Sequence, residues 1–148
     1  MTIKYLKEFG FEKAGKWYLE NGKPNFELRD EYTNKRCIYA FCNERQTFYI
    51  GICKENHTTL KTRMNRYKGK VGSGTNKRIL DEIAELLEEG GEVYIYAWYP
   101  RGDENERYKY KDLSIDLING LEYPLINKLK PIWNKQGWNK QGKKNMST

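Results

Sequence analysis

Apolar and polar positions along the chain alternate in short bursts at first and then settle into helical periods. Two runs rich in β-branched and aromatic residues, 37–42 (C-I-Y-A-F-C) and 47–52 (T-F-Y-I-G-I), flank the polar stretch Asn43-Glu44-Arg45-Gln46. Such a pair predicts a β-hairpin with a four-residue loop. Earlier, residues 2–9 carry Ile3, Leu6 and Phe9 on one side of a short helix. Residues 13–19 and 25–28 read as strands around Glu20-Asn21-Gly22-Lys23-Pro24, a strong turn signal with Pro24 in the turn. This first hairpin leads into the strand that bears Tyr39.

Beyond the second hairpin the period lengthens. Residues 59–67 place Leu60 and Met64 four apart, and Arg63 and Tyr67 likewise, with Thr58 or Thr59 as cap. Residues 68–76 (K-G-K-V-G-S-G-T-N) predict a basic, glycine-rich loop without the glycine–lysine–serine order of a nucleotide-binding loop. Residues 76–89 form the clearest helix, with Ile79, Leu80, Ile83, Leu86 and Leu87 on one face, and Gly90-Gly91 closing it. Alternation over 93–99 (V-Y-I-Y-A-W-Y) predicts the third strand of the central sheet, stopped by Pro100.

Residues 101–111 form a charged loop in which Tyr108 and Tyr110 interleave with Arg107, Lys109 and Lys111. The helical pattern over 113–129 is interrupted by Gly120 and Pro124. That predicts a new helix or a kink near Leu121, with Glu122 in or next to its opening turn and Leu125, Ile126 and Leu129 facing the core. After Pro131 the chain reads W-N-K-Q-G twice, from Trp133 and from Trp138, and ends in a basic tail.

Together these elements predict an α/β (α+β) fold. A small, mostly antiparallel central sheet is flanked by helices, with a helix and hairpin extension over 1–35, a core over 36–137 and a tail over 138–148. A length of 148 residues suits one domain with one core. No apolar run approaches a membrane span and the N-terminus lacks a signal-peptide core, so the expectation is a cytoplasmic protein with no membrane contact.

Charge sharpens the picture. The chain carries a net +7, yet residues 79–92 hold six acids and no base. The remainder is therefore more basic than the net figure implies, and it favours a polyanion. The three cysteines lack C-x-x-C spacing and a histidine cluster, so Cys37 and Cys53 read as small buried thiols rather than zinc ligands. His57, the only histidine, reads as a surface residue. Histidine-dependent catalysis has little to work with here.

Tyr39, an intact Tyr49-Ile50-Gly51, Arg63, Tyr67, Glu122 and Asn134 follow in an order that resembles the GIY-YIG endonuclease family, across about residues 37–137. Each residue also has an ordinary reading: an aromatic of a half-buried sheet, a solvated base, an acid favoured by a helix dipole, a turn residue after proline. In this sequence Cys37 stands where glycine is usual in the family, and Ala40 follows the first tyrosine.

The resemblance implies a small, stand-alone, metal-dependent DNA endonuclease, a restriction-type or phage-type double-strand cutter. It implies double-stranded DNA as partner and a homodimer or higher homo-oligomer. One Mg²⁺ or Mn²⁺ ion per site would be held by Glu122, since a hard cation prefers carboxylate oxygen. Arg63 would meet the phosphate with its planar donor fork. Tyr39 would be the general base, Tyr49 and Tyr67 its hydrogen-bonding neighbours, and Asn134 would orient the site. Lys54, Lys68, Lys70 and Lys77 are expected at DNA phosphates, and Arg78, Arg101 and Arg107 at base edges. A nicking repair nuclease, a non-catalytic DNA-binding module and an interaction protein working through the acidic helix stay open.

Overall fold

The computed structural model of the protein describes residues 3–69, 74–101 and 108–134; Lys70, Arg107 and the expected tail lie outside them. Helix α1 (Ile3–Phe9) buries Ile3 and Leu6 and leads into strands β1 (Glu12–Glu20) and β2 (Lys23–Leu28). Asn21 and Gly22 both take positive φ, 53° and 77°, the backbone of a two-residue turn whose twist suits the strands it joins. Pro24 therefore lies in β2 opposite Leu19, not in the turn as expected. β2 is an edge strand, where a missing backbone donor is tolerated.

A short helix α2 (Asp30–Thr33) precedes the expected hairpin of β3 (Ile38–Cys42) and β4 (Thr47–Ile52). Helices α3 (Leu60–Gly69) and α4 (Gly74–Glu88) follow, and Gly90 at φ 87° closes α4 as the sequence predicts. Strand β5 (Val93–Trp98) is next. Two-residue strands β6 (Lys109–Tyr110) and β7 (Leu113–Ser114) make a small separate hairpin before α5 (Leu117–Leu129).

The main sheet has the order β2-β1-β5-β3-β4 and is antiparallel at every pairing. The mostly antiparallel α+β expectation holds. Strand β5, expected as the third strand, is the middle strand of the five: it lies between the two hairpins and joins β1 to β3. Strand alternation sends Tyr39 and Phe41 to the face covered by α3 and α4, and Ile38, Ala40 and Cys42 to the face covered by α1 and α5. Every residue of β3 and β4 is buried, so this hairpin is not half-exposed; helices cover both its faces.

The last helix departs from expectation. Leu113 and Ser114 belong to β7, and α5 runs without a break from Leu117 to Leu129. Asp116 caps it, accepting from the Ile118 N–H at 3.0 Å. Pro124 removes one backbone donor, whose partner would have been the Gly120 carbonyl, and buried Leu125, Ile126 and Leu129 hold the helix on the sheet. Glu122 consequently sits in the middle of a helix rather than in an opening turn. Among the described residues no helix is long and apolar enough to cross a membrane.

Candidate active site

The β3–β4 register places Gly51 directly opposite Tyr39. A Cβ at position 51 would lie 2.5 Å from the Tyr39 hydroxyl oxygen, so the Tyr39 ring can occupy its place only over a glycine. From there the Tyr39 hydroxyl meets that of Tyr67 at 2.7 Å. Phe41 packs its ring 5.4 Å from Tyr39, 5.8 Å from Tyr49 and 5.6 Å from Tyr67, measured between centroids. One apolar ring thus braces three phenols from two strands and a helix.

Arg63 precedes Tyr67 by one turn of α3. Its guanidinium carbon lies 4.5 Å from the centre of the Tyr67 ring, and Nη1 donates to Asn76 Oδ1 at 3.3 Å. Burial works against the Arg63 charge, but Tyr39, Tyr67 and Tyr49 outweigh it and its pKa is raised. The phenols respond in kind. Burial pushes Tyr39 and Tyr67 well above the ordinary phenol value, with Arg63 pulling each of them back. Tyr49 is raised by burial too, while a hydrogen bond from Tyr67 and the Arg63 charge favour its phenolate. Tyr39 and Tyr67 are fully enclosed, whereas Tyr49 keeps 9% exposure.

Glu122 reaches this cluster from α5. Burial raises its pKa, and Lys54 and Arg63 oppose the rise. It also acts electrostatically on Tyr49. Among the described residues its carboxylate forms no hydrogen bond or ion pair, so both oxygens remain available to a ligand. The α5 helix is pinned to the hairpin by Arg36. Its two terminal nitrogens donate to Asp116 at 3.1 and 2.8 Å, and Nη2 also donates to the Lys54 carbonyl at 2.7 Å. This bidentate pair holds the Asp116 carboxyl down at about 2.

Asn134 acts on the other edge of β4. Its Oδ1 accepts from Ile50 N and its Nδ2 donates to Ile50 O, while Trp133 N donates to Phe48 O at 2.8 Å. Trp133 stacks on Phe48 with centroids 4.8 Å apart. The segment thereby covers an edge strand that would otherwise expose its backbone. Arg78, half-buried on α4, donates to the Trp133 carbonyl at 3.0 Å and contributes positive potential at Tyr49.

The structure therefore brings together Tyr39, Tyr49, Arg63, Tyr67 and Glu122, with Lys54 beside them and Asn134 behind β4. The other expected DNA contacts scatter. Lys68 donates to Asn25 Oδ1 at 2.8 Å, on the first hairpin. Lys77 pairs with Asp81 at 2.8 Å on the exposed side of α4. Arg101 bridges Glu12 at 3.2 Å and Tyr32 at 3.3 Å, at the far end of β1. Sequence reasoning missed Phe41, Asn76, Arg36 and Asp116. Only Asp116 left a signal, a capping acid directly before Leu117-Ile118.

The cysteines pack as predicted. Cys37 and Cys53 are fully buried, and the Cys53 N–H donates to the Cys37 carbonyl at 3.0 Å. Their thiols hydrogen-bond, which pushes Cys37 up and Cys53 down.

The β3–β4 hairpin at the end of the five-stranded antiparallel sheet thus presents two tyrosines to an arginine-bearing helix. Among solved structures the chain is similar to a mutant of bacteriophage T4 EndoII, with a TM-score of 0.65 and 22% identity over 90% of this chain and 98% of that one. It is also similar to restriction endonuclease HPY188I in complex with product DNA, with a TM-score of 0.51 and 19% identity over 86% of this chain and 80% of that one. No protein-family model matches the sequence, and no curated protein matches it. At these identities the likeness establishes the fold, and it agrees with the resemblance carried by Tyr39, Tyr49, Arg63, Tyr67 and Glu122.

Proposed function

We propose that the protein is a metal-dependent DNA endonuclease. One observation carries the reading. Three phenols, a fixed guanidinium and an unpaired, half-buried carboxylate converge on one edge of the sheet, on a fold shared with two nucleases. Among the described residues no three histidine, cysteine, aspartate or glutamate side chains cluster as metal ligands. A donor set of one carboxylate suits a single hard cation that keeps several waters and shares the substrate phosphate. Glu122 would hold it, and the bound ion would neutralise charge on the phosphate and the leaving 3′ oxygen.

The remaining work falls to the chain's own groups. Arg63 is held by Asn76 and Tyr67 with donors to spare, and it would hold a non-bridging phosphate oxygen as charge develops there. Water attacking the phosphorus must lose a proton. Tyr49 is the better placed acceptor than Tyr39, because it alone of the three phenols keeps some exposure and it sees Glu122. Tyr67 would steady the resulting phenolate through its hydrogen bond, and Tyr39 would fix Tyr67. Asn134 is a positioning residue, since it touches the backbone beside Tyr49. Lys54 and Arg78 flank the cluster and would meet DNA phosphates.

Double-strand cutting needs two such sites, which favours a homodimer or higher oligomer. Supercoiled and linear DNA incubated with Mg²⁺, Mn²⁺ or a chelator test the reading. Discrete fragments that vanish with chelator are expected of a double-strand cutter, and nicked circles of a nicking enzyme. Intact DNA under every condition overturns the assignment.

A further inference from the structure

Hairpin β6–β7 exposes large apolar side chains: Tyr108 is 53%, Tyr110 65% and Leu113 61% accessible. Tyr110 pairs with Leu113, and Lys109 with Ser114. Strand alternation therefore puts Tyr108, Tyr110 and Leu113 on one face, with Lys109 and Ser114 on the other. At the tip, Lys111 takes φ 57° and its Nζ lies 5.6 Å from the centre of the Tyr110 ring. This apolar face belongs to neither layer of the core.

The base of the hairpin is fixed at the mouth of the site. Ile115 N donates to Tyr108 O at 3.0 Å and closes the ladder. The next residue is Asp116, which Arg36 ties to Lys54, the lysine that acts on Glu122. Asn119 also donates to the Lys54 carbonyl, at 3.4 Å. Glu122 stands six positions along the helix from Asp116, about 9 Å at the rise of an α-helix. Tyr123, 63% exposed, stands four residues after Asn119 and so on the same flank of α5.

We propose that hairpin β6–β7 is a wedge that enters a base step of double-stranded DNA beside the phosphate at Glu122, led by Tyr110 and Leu113. The proposal rests on the nuclease reading of that site. Apolar side chains inserted at a step unstack it and kink the duplex, and an aromatic ring stacks on any base exposed in this way. A kink at that point would swing the scissile phosphate out toward Glu122 and Arg63. Charge selects DNA over a second copy of the chain. Lys109 and Lys111 flank the apolar pair on a protein of net charge +7, whereas cores of protein interfaces are depleted in lysine.

The test uses Glu122→Gln as a non-cutting background and duplexes carrying 2-aminopurine at successive steps around the wild-type cut position. Binding should raise the fluorescence several-fold at a step within roughly two base pairs of that position. Adding Tyr110→Ala and Leu113→Ala should remove the rise while affinity falls less than about tenfold and the far-ultraviolet circular dichroism stays unchanged. Tyr110→Trp, which keeps a stacking ring, should retain it.

A rise that persists in the double alanine variant overturns the wedge. So does loss of an oligomer on sedimentation with the fluorescence rise intact, which would make the hairpin a subunit contact. If Glu122→Gln binds duplex with no fluorescence change at any step, the wedge alone falls. If it binds no duplex at all, the nuclease reading falls with it.

Discussion

Asn134 closes both ends of its side-chain amide on one residue of the edge strand, accepting from Ile50 N at 2.8 Å and donating to Ile50 O at 2.9 Å. Tyr49 and Gly51 flank that residue, so the amide fixes the strand where the site is built. Asn134→Ala would leave a buried donor and acceptor without partners, at about 2–4 kcal/mol. Asn134→Asp keeps the bond from Ile50 N but sets a carboxylate against the carbonyl. Urea denaturation should rank the two variants below wild type, and cleavage should fall in both. Wild-type stability in the alanine variant would remove the clamp from the account.

Gly51 and Tyr39 form a second coupled pair. Gly51→Ala places a methyl 2.5 Å from the Tyr39 hydroxyl and ring, so the ring must leave its place or the strands must part. Overpacking of this kind costs about 1–3 kcal/mol. Cleavage should drop by about a hundredfold, since misplacement of a site by about an ångström has that effect. A double variant with Tyr39→Leu should recover stability but not activity. Strictly additive losses would show that the two residues do not compete for the same space.

Glu122 is predicted to trade stability for function. Its pKa is raised by burial, so the ionised form opposes folding at neutral pH, and this penalty disappears below the ordinary glutamate value near ~4.3. Glu122→Gln should therefore melt higher than wild type at pH 7 and equal to it near pH 4. The same variant should cut about a hundred- to a thousandfold more slowly, the scale of losing one electrostatic stabiliser. A lower melting temperature at pH 7 would contradict the burial argument.

The phenols set the alkaline side of the profile. A buried tyrosine whose pKa is raised in the folded state stabilises the protein below the unfolded value near ~10 and loses that contribution as pH rises beyond it. Stability should be level from pH 7 to 9 and fall above 10. If Tyr49 takes the proton, the single-turnover rate should climb about tenfold per pH unit over the level range. Tyr49→Phe should cost about 10² to 10⁴ in rate and flatten that climb, with Tyr39→Phe costing less. A steep profile surviving in Tyr49→Phe would return the role to another group.

The elements were legible where local chemistry decides them. Alternation marked β3, β4 and β5, the period of apolar residues marked α4, and Asn21-Gly22 marked the first turn. The ordered series from Tyr39 to Asn134 carries the family resemblance in the sequence alone. What misled was local chemistry overruled from a distance. Gly120 and Pro124 look like a break, yet Asp116 starts the helix upstream and its apolar face, packed on the sheet, carries it through. Pro24 looks like a turn residue because the sequence does not say that β2 is an edge.

Residue types, strand periods and the surplus of positive charge were thus determined by the sequence itself, because each depends on neighbours a few positions away. Which tyrosine keeps access to solvent, why position 51 must be glycine, and how Arg36 ties helix α5, through Asp116, to the hairpin were decided only by the tertiary structure. Those properties arise from burial and from contacts between residues as far apart as Ile50 and Asn134, which no local pattern encodes.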